Sequence, residues 1–126
     1  MNLRSPLSRA MGLGSAKTGM GHWWAQRVSA VALIPLTLWL VFSLLLLPGL
    51  DQGTARAWLQ DPLSGFLAIT LVAVLAFHSY LGATVIVEDY VHSEALKIFL
   101  RIGLQFLHVL AGGAGIFAIL HVAFGR

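Results

Sequence analysis

The sequence predicts an all-α membrane protein of three transmembrane helices, with its N-terminus cytoplasmic and its C-terminus periplasmic. Three observations lead there. The 126 residues are 58% hydrophobic and 10% charged, whereas a soluble domain is about 25% charged, so lipid is the natural solvent for the apolar excess. The charges leave three stretches free of Asp, Glu, Lys and Arg, at Val28–Leu50, Pro62–Val87 and Ile102–Gly125. Each is long enough to span, because about 20 apolar residues rising about 1.5 Å apiece cross a hydrocarbon core of about 30 Å. None shows the alternation over about ten residues that marks a barrel strand, and an open sheet would leave edge peptide groups unpaired in lipid.

Taken in order, the chain reads as one membrane domain over residues 1–126. A cytoplasmic segment, 1–27, precedes spans near 28–47, 63–88 and 102–125. The first segment holds Arg4, Arg9, Lys17 and Arg27 and no acid. The first loop adds Arg56, the second Lys97 and Arg101, and the end Arg126, which puts the N-terminus and the second loop on the cytoplasmic side. A pI near 10.0 then reflects topology and contact with anionic headgroups; no basic-aromatic surface for nucleic acid is present. The composition of residues 1–27 is shared with organelle transit peptides, but a retained cytoplasmic tail is preferred, and the first apolar run starts too late and runs too long for a secretory signal. Glycine-rich Gly12–Gly21 follows no strand, so it reads as a flexible stretch, not a phosphate loop.

Pro35 sits inside the first span and should bend it. Leu47–Pro62 carries Pro48, Gly49, Asp51 and Gly53, which predicts a turn, and then Thr54–Gln60, a short interfacial helix with Trp58 at headgroup level. Trp23 and Trp24 suit the opposite interface. The absence of cysteine excludes disulfides, thiolate zinc, cysteine-ligated iron–sulfur clusters and c-type haem.

Polar side chains inside the spans are the informative ones. His78 lies midway along the second span, and its eleven-position step to Asp89 leaves a rotation of about 20° and a rise of about 16 Å. His78 is therefore placed near mid-bilayer, with Asp89 and Tyr90 at the cytoplasmic edge. Gly82, one turn on, leaves room for something flat beside the imidazole, which suits a haem axial ligand; a hydrogen bond to a neighbouring helix's carbonyl is the alternative. Glu88 reads as helix-end punctuation. At headgroup depth the Tyr90 phenol could donate to a carbonyl oxygen, and the Asp89 carboxylate could orient a basic partner or deliver protons, as a lipid quinone requires. Arg27, with His22 in support, reads either as a positive-inside anchor or as the partner of an anionic propionate. His108 lies near the depth of His78, which permits both ligands of one haem to come from this chain. His121 reads as solvated near the outer interface, and Gly112, Gly113 and Gly115 read as close helix packing. No Ser-His-Asp arrangement, HExxH or paired carboxylates occur, and the loops are too short for a soluble active site, so the chain reads as non-catalytic by itself.

The segment HSYLGATVIVEDYVH, with His78, Gly82, Asp89 and Tyr90, resembles the haem and quinone segment of the small hydrophobic membrane-anchor subunit of succinate dehydrogenase, respiratory complex II. GHWWAQRVSAVALIPL at residues 21–36 resembles the opening of its bacterial form, and the likeness covers nearly the whole chain. The resemblance implies that His78 is an axial ligand of haem b, with the second histidine from a companion anchor subunit, and that Tyr90 bonds a ubiquinone carbonyl with Asp89 beside it. It implies Arg27 and His22 near a haem propionate. It also implies two soluble partners, a flavoprotein with FAD and an iron–sulfur subunit, at the bacterial inner membrane. His108 and His121 fall outside that pattern. Fumarate reduction by quinol is the closest alternative, and a small proton-relay or transporter subunit is a reading from another class.

Overall fold

The computed structural model describes residues 19–125. Four helices follow one another: α1 (Gly19–Leu45), α2 (Gln52–Gln60), α3 (Pro62–Tyr90) and α4 (Glu94–Phe124). The three long helices are long and apolar enough to cross a membrane, and the chain is a multi-pass membrane protein. Most of the N-terminal segment, residues 1–18, lies outside the described residues, so Arg4, Arg9 and Lys17 do too, as does Arg126. Gly19–Gly21, the end of the glycine-rich stretch, is already helical.

Helices α1 and α4 begin nine and eight residues before their charge-free stretches. At 27, 29 and 31 residues, the long helices measure about 40–46 Å, more than the hydrocarbon thickness. Their ends therefore carry interfacial residues, Trp23, Trp24 and Arg27 on α1 and Lys97 on α4, within helix and not in loop. Pro35 lies within the assigned length of α1.

The turn and short helix between the first two spans are built by two aspartates. Asp51 caps α2 by accepting from the Thr54 amide at 3.1 Å and the Thr54 hydroxyl at 2.6 Å. Asp61 ends α2, its own amide reaching Ala57 O at 3.2 Å, and starts α3 by accepting from Ser64 N at 2.9 Å, with Pro62 in the first turn. The Thr54 hydroxyl and amide hold the Asp51 carboxyl below the ordinary carboxylate range, and the Ser64 amide does the same for Asp61. Trp58 is tied inward: its indole nitrogen donates to Ser43 Oγ at 2.6 Å, and its ring stacks on Trp39, centroids 5.6 Å apart. Arg56 donates to the carbonyl of Gly125, holding α2 to the end of α4.

Helix α3 is the centre. It packs against α1 on one side and α4 on the other, while α1 and α4 do not meet among the described residues. On the α4 side glycines set the distance: a Cβ at Gly112 would come 3.0 Å from Ala76 Cβ, and one at Gly115 would come 3.0 Å from Val72 Cγ1. Gly113 faces open space, so only two of the three glycines serve this packing. The core is thin, formed by Ala68 and Leu81 with the polar Ser29 and Thr84, and large apolar side chains along every span face outward. Outward apolar faces suit lipid or further subunits.

Candidate functional site

Two polar seams run along α3, one against each neighbour. On the α1 side, His22, Gln26 and Ser29 recur at i, i+4 and i+7 and fall within about 60° of one another. Gln26 and Ser29 meet His78, whose Nδ1 is 2.9 Å from Ser29 Oγ and whose Nε2 is 3.4 Å from Gln26 Nε2. The pairing follows from antiparallel helices. Ser29 lies about 15 Å along α1 from its start, and His78 about 18 Å along α3 from its end.

Hydrogen bonding sets the state of this imidazole. The Ser29 hydroxyl has one proton, and its nearest acceptor is Ala25 O at 2.7 Å, with Gln26 O at 3.1 Å. With that proton on Ala25 O, the hydroxyl oxygen is free to accept from His78 Nδ1, the arrangement that would leave the lone pair on Nε2. Gln26 Nε2 faces that lone pair at the long limit of a hydrogen bond. Gln26 Oε1 is buried with no partner. Ser29 itself is only 6% exposed. Gly82 lines the same cleft, and a Cβ there would sit 3.5 Å from Gln26 Nε2, an ordinary contact. The space left by Gly82 is thus the space the Gln26 side chain uses. Among the described residues His78 meets side chains of α1 and no backbone carbonyl.

On the α4 side, His108 donates from Nδ1 to Leu104 O at 2.8 Å and stands edge-on to Tyr80, centroids 5.9 Å apart. Both line a groove of about 390 Å³ with Phe77, Gln105 and Gly113. Tyr80 and Gln105 also line an adjoining space of about 270 Å³ with Arg101. His78 and His108 thus address different seams, and their similar depth does not make them a pair.

The α3 helix does continue through Tyr90, so His78 and Asp89 share a face as the spacing predicts. Asp89 and Tyr90 are exposed, Tyr90 at 77%, and neither makes a side-chain hydrogen bond among the described residues. Glu88 pairs with Arg101 at 3.4 Å and straps α3 to α4. Arg27 is exposed and lies over the Trp23 ring, 5.5 Å from its centroid. It is turned about 140° from His22, so the two occupy different faces, and His22 is the one aligned with the cleft. His121 is exposed and stacks on Phe117, centroids 6.1 Å apart.

Gln26 and Ser29 were not singled out from the sequence. Their signal was the polar i, i+4, i+7 series His22, Gln26, Ser29 entering an otherwise apolar helix.

Comparison with known proteins bears on this arrangement. Residues 1–112 match the family model described as succinate dehydrogenase/fumarate reductase transmembrane subunit. The succinate dehydrogenase hydrophobic membrane anchor subunit of Rickettsia bellii is 29% identical over 120 residues, 95% of this chain and 96% of that protein. The protein of the same name from Paracoccus denitrificans is 33% identical over 77% of this chain and 75% of its own length. The succinate dehydrogenase membrane anchor subunit of Reclinomonas americana is 36% identical over 65% of this chain and 71% of its own. With a family match over most of its length and relatives that share its span, the chain belongs to the succinate dehydrogenase/fumarate reductase transmembrane subunit family.

Proposed function

We propose that the chain is the small membrane-anchor subunit of a bacterial succinate:quinone oxidoreductase. In this reading it helps bind haem b and forms part of a ubiquinone-reduction site. The observation that carries the reading is the His78 imidazole in the α1–α3 cleft, with Nδ1–H held by Ser29 and its Nε2 lone pair facing only a loosely held amide.

The donor chemistry fits a haem. An axial histidine needs a neutral ring, a basic Nε2 and an acceptor for the other nitrogen's proton. Ser29 Oγ stands at Nδ1 as such an acceptor, and Nε2 faces only the Gln26 amide. Gln26 is the group that must give way, and it has little to lose, with a 3.4 Å contact on one side and an unpartnered oxygen on the other. His78 would hold the iron from one face, and His22, on the same face of α1, would approach a propionate. Arg27 would reach one only by leaving Trp23. His108 serves the other seam, and the second histidine would come from a companion anchor subunit, as the family resemblance implies. When bound, haem b supplies a one-electron relay close to the quinone.

At the Gly19 and Tyr90 ends of the bundle, the cytoplasmic side by the distribution of basic residues, Tyr90 presents a phenol free to donate to a quinone carbonyl. Asp89 presents a carboxylate beside it to pass protons as the ring is reduced. FAD and iron–sulfur clusters, which would belong to flavoprotein and iron–sulfur partners docked on that side, would supply the electrons from succinate. The family's own description covers fumarate reduction too, and the reverse direction uses the same residues.

Mild-detergent purification with identification of co-migrating chains tests the reading. A flavoprotein, an iron–sulfur protein and a second three-span anchor, with a reduced-minus-oxidised b-type spectrum, are expected. Isolation of the chain without them, and without visible absorption, would sink it in favour of a transport or scaffold role.

A further inference from the structure

We infer that Ser29 is a positioning residue for His78: its hydroxyl fixes which imidazole nitrogen carries the proton and so makes Nε2 the ligating atom. The tautomer part of this claim concerns only groups in the chain, and its consequence for redox chemistry rests on the haem reading above.

The argument begins with the proton count. In lipid, a neutral imidazole with one N–H can exist as either tautomer, and neighbouring groups decide which. The single proton of Ser29 is placed on the nearest acceptor, the Ala25 carbonyl at 2.7 Å, an intrahelical bond that water cannot replace at 6% exposure. The hydroxyl oxygen is therefore an acceptor aimed at Nδ1 from 2.9 Å. The helix backbone of α1 thus orients the hydroxyl, the hydroxyl orients the ring, and α3 carries the ring at mid-depth. Gln26 does not do the same, because its amide stands at the other ring nitrogen.

An acceptor on Nδ1–H lends the ring imidazolate character and makes Nε2 a stronger donor to iron, which favours the ferric state. Ser29 should then hold the haem potential down. Removing it leaves Nδ1–H unpaired in a dry cleft, so the proton redistributes between the nitrogens and the potential rises.

The test uses Ser29→Ala and Ser29→Thr in the full chain, in its membrane complex. Two quantities are read, and the first needs no activity. Nitrogen-15 NMR of labelled histidine, in complex prepared without haem, reports the protonated nitrogen of His78, assigned by the loss of its signals in His78→Gln. The expected result is Nδ1–H in the wild type and in Ser29→Thr, and a mixture in Ser29→Ala. The second is the midpoint potential of the b-type centre, expected to move upward in Ser29→Ala and to return in Ser29→Thr. A His78 that keeps Nδ1–H in Ser29→Ala, or a potential the alanine leaves in place, overturns the role of Ser29. A wild-type complex with no b-type spectrum overturns the haem reading instead, and the nitrogen signals still decide the tautomer.

Discussion

His78 and Tyr80, two positions apart on α3, face opposite neighbours: His78 bonds Ser29 of α1, and Tyr80 packs edge-on to His108 of α4. A two-residue step on a helix turns about 200°, so one short segment supplies both seams. Among the described residues α1 and α4 do not touch, and α3 is the wall that the two seams share.

This separation gives the two haem arrangements different expected outcomes. His78→Ala is expected to abolish the b-type spectrum of the purified complex. His108→Ala should leave it in place, because that imidazole is held on the far seam by Leu104 O. Loss of the spectrum in both variants would restore a bis-histidine site within this chain.

The spans, the short helix after Asp51 and the shared face of His78 and Asp89 were all legible in the sequence, because hydropathy, capping and the 100° step act locally. The partners of His78 were not. That Ser29 meets His78 depends on the antiparallel register of α1 and α3, which is a property of the packed pair and not of either helix alone. Depth along a helix is readable from residue number, but the neighbour a side chain faces is not, which is why His108 looked equivalent to His78. Charge gaps understated the helices for a simpler reason: α1 and α4 run on past the hydrocarbon, where Arg27 and Lys97 sit comfortably in helix.

Glycines offer a packing test. A Cβ at Gly65 would stand 2.9 Å from the Leu59 carbonyl and one at Gly112 3.0 Å from Ala76, whereas Gly113 has nothing within 4 Å. Gly65→Ala and Gly112→Ala should each destabilise by about 1–3 kcal/mol as neighbours shift. Gly113→Ala should be close to neutral. Thermal inactivation of the purified complex distinguishes them, and equal effects at all three positions would contradict the close approach.

The contact of α2 with α1 hangs on an indole proton. Trp58→Phe keeps a ring against Trp39 but removes the bond to Ser43, and Ser43→Ala removes the same bond from the other side. Each should cost about 0.5–1.5 kcal/mol. The double variant should cost no more than the larger single one, and full additivity would show that the two residues act apart.

Acid should loosen this end of the molecule. Thr54 and Ser64 lower the folded-state values of Asp51 and Asp61 below the ordinary carboxylate range. Their caps therefore contribute above the unfolded-state value, and that contribution is lost as pH falls through the lowered folded-state value. Trp58 fluorescence is expected to be flat near neutrality and to change in that acid range. In an Asp51→Asn, Asp61→Asn variant, whose amide oxygens still accept but do not titrate, the change should disappear.

Tyr90 and Asp89 carry the last prediction, which separates the anchor's two proposed tasks. Tyr90 is exposed at the end of α3 and turned about 120° from His78, so changing its hydroxyl leaves the His78 cleft untouched. Tyr90→Phe should lower quinone reduction severalfold while succinate oxidation with a soluble artificial acceptor continues, because that acceptor bypasses the membrane site. The b-type spectrum should also stay unchanged. Asp89→Asn, which keeps size and removes charge, should depress quinone reduction most at high pH, where proton supply limits the step. Equal loss of both activities in Tyr90→Phe would point instead to a docking fault at the partner-facing end of α3, and the phenol would have no direct part in holding quinone.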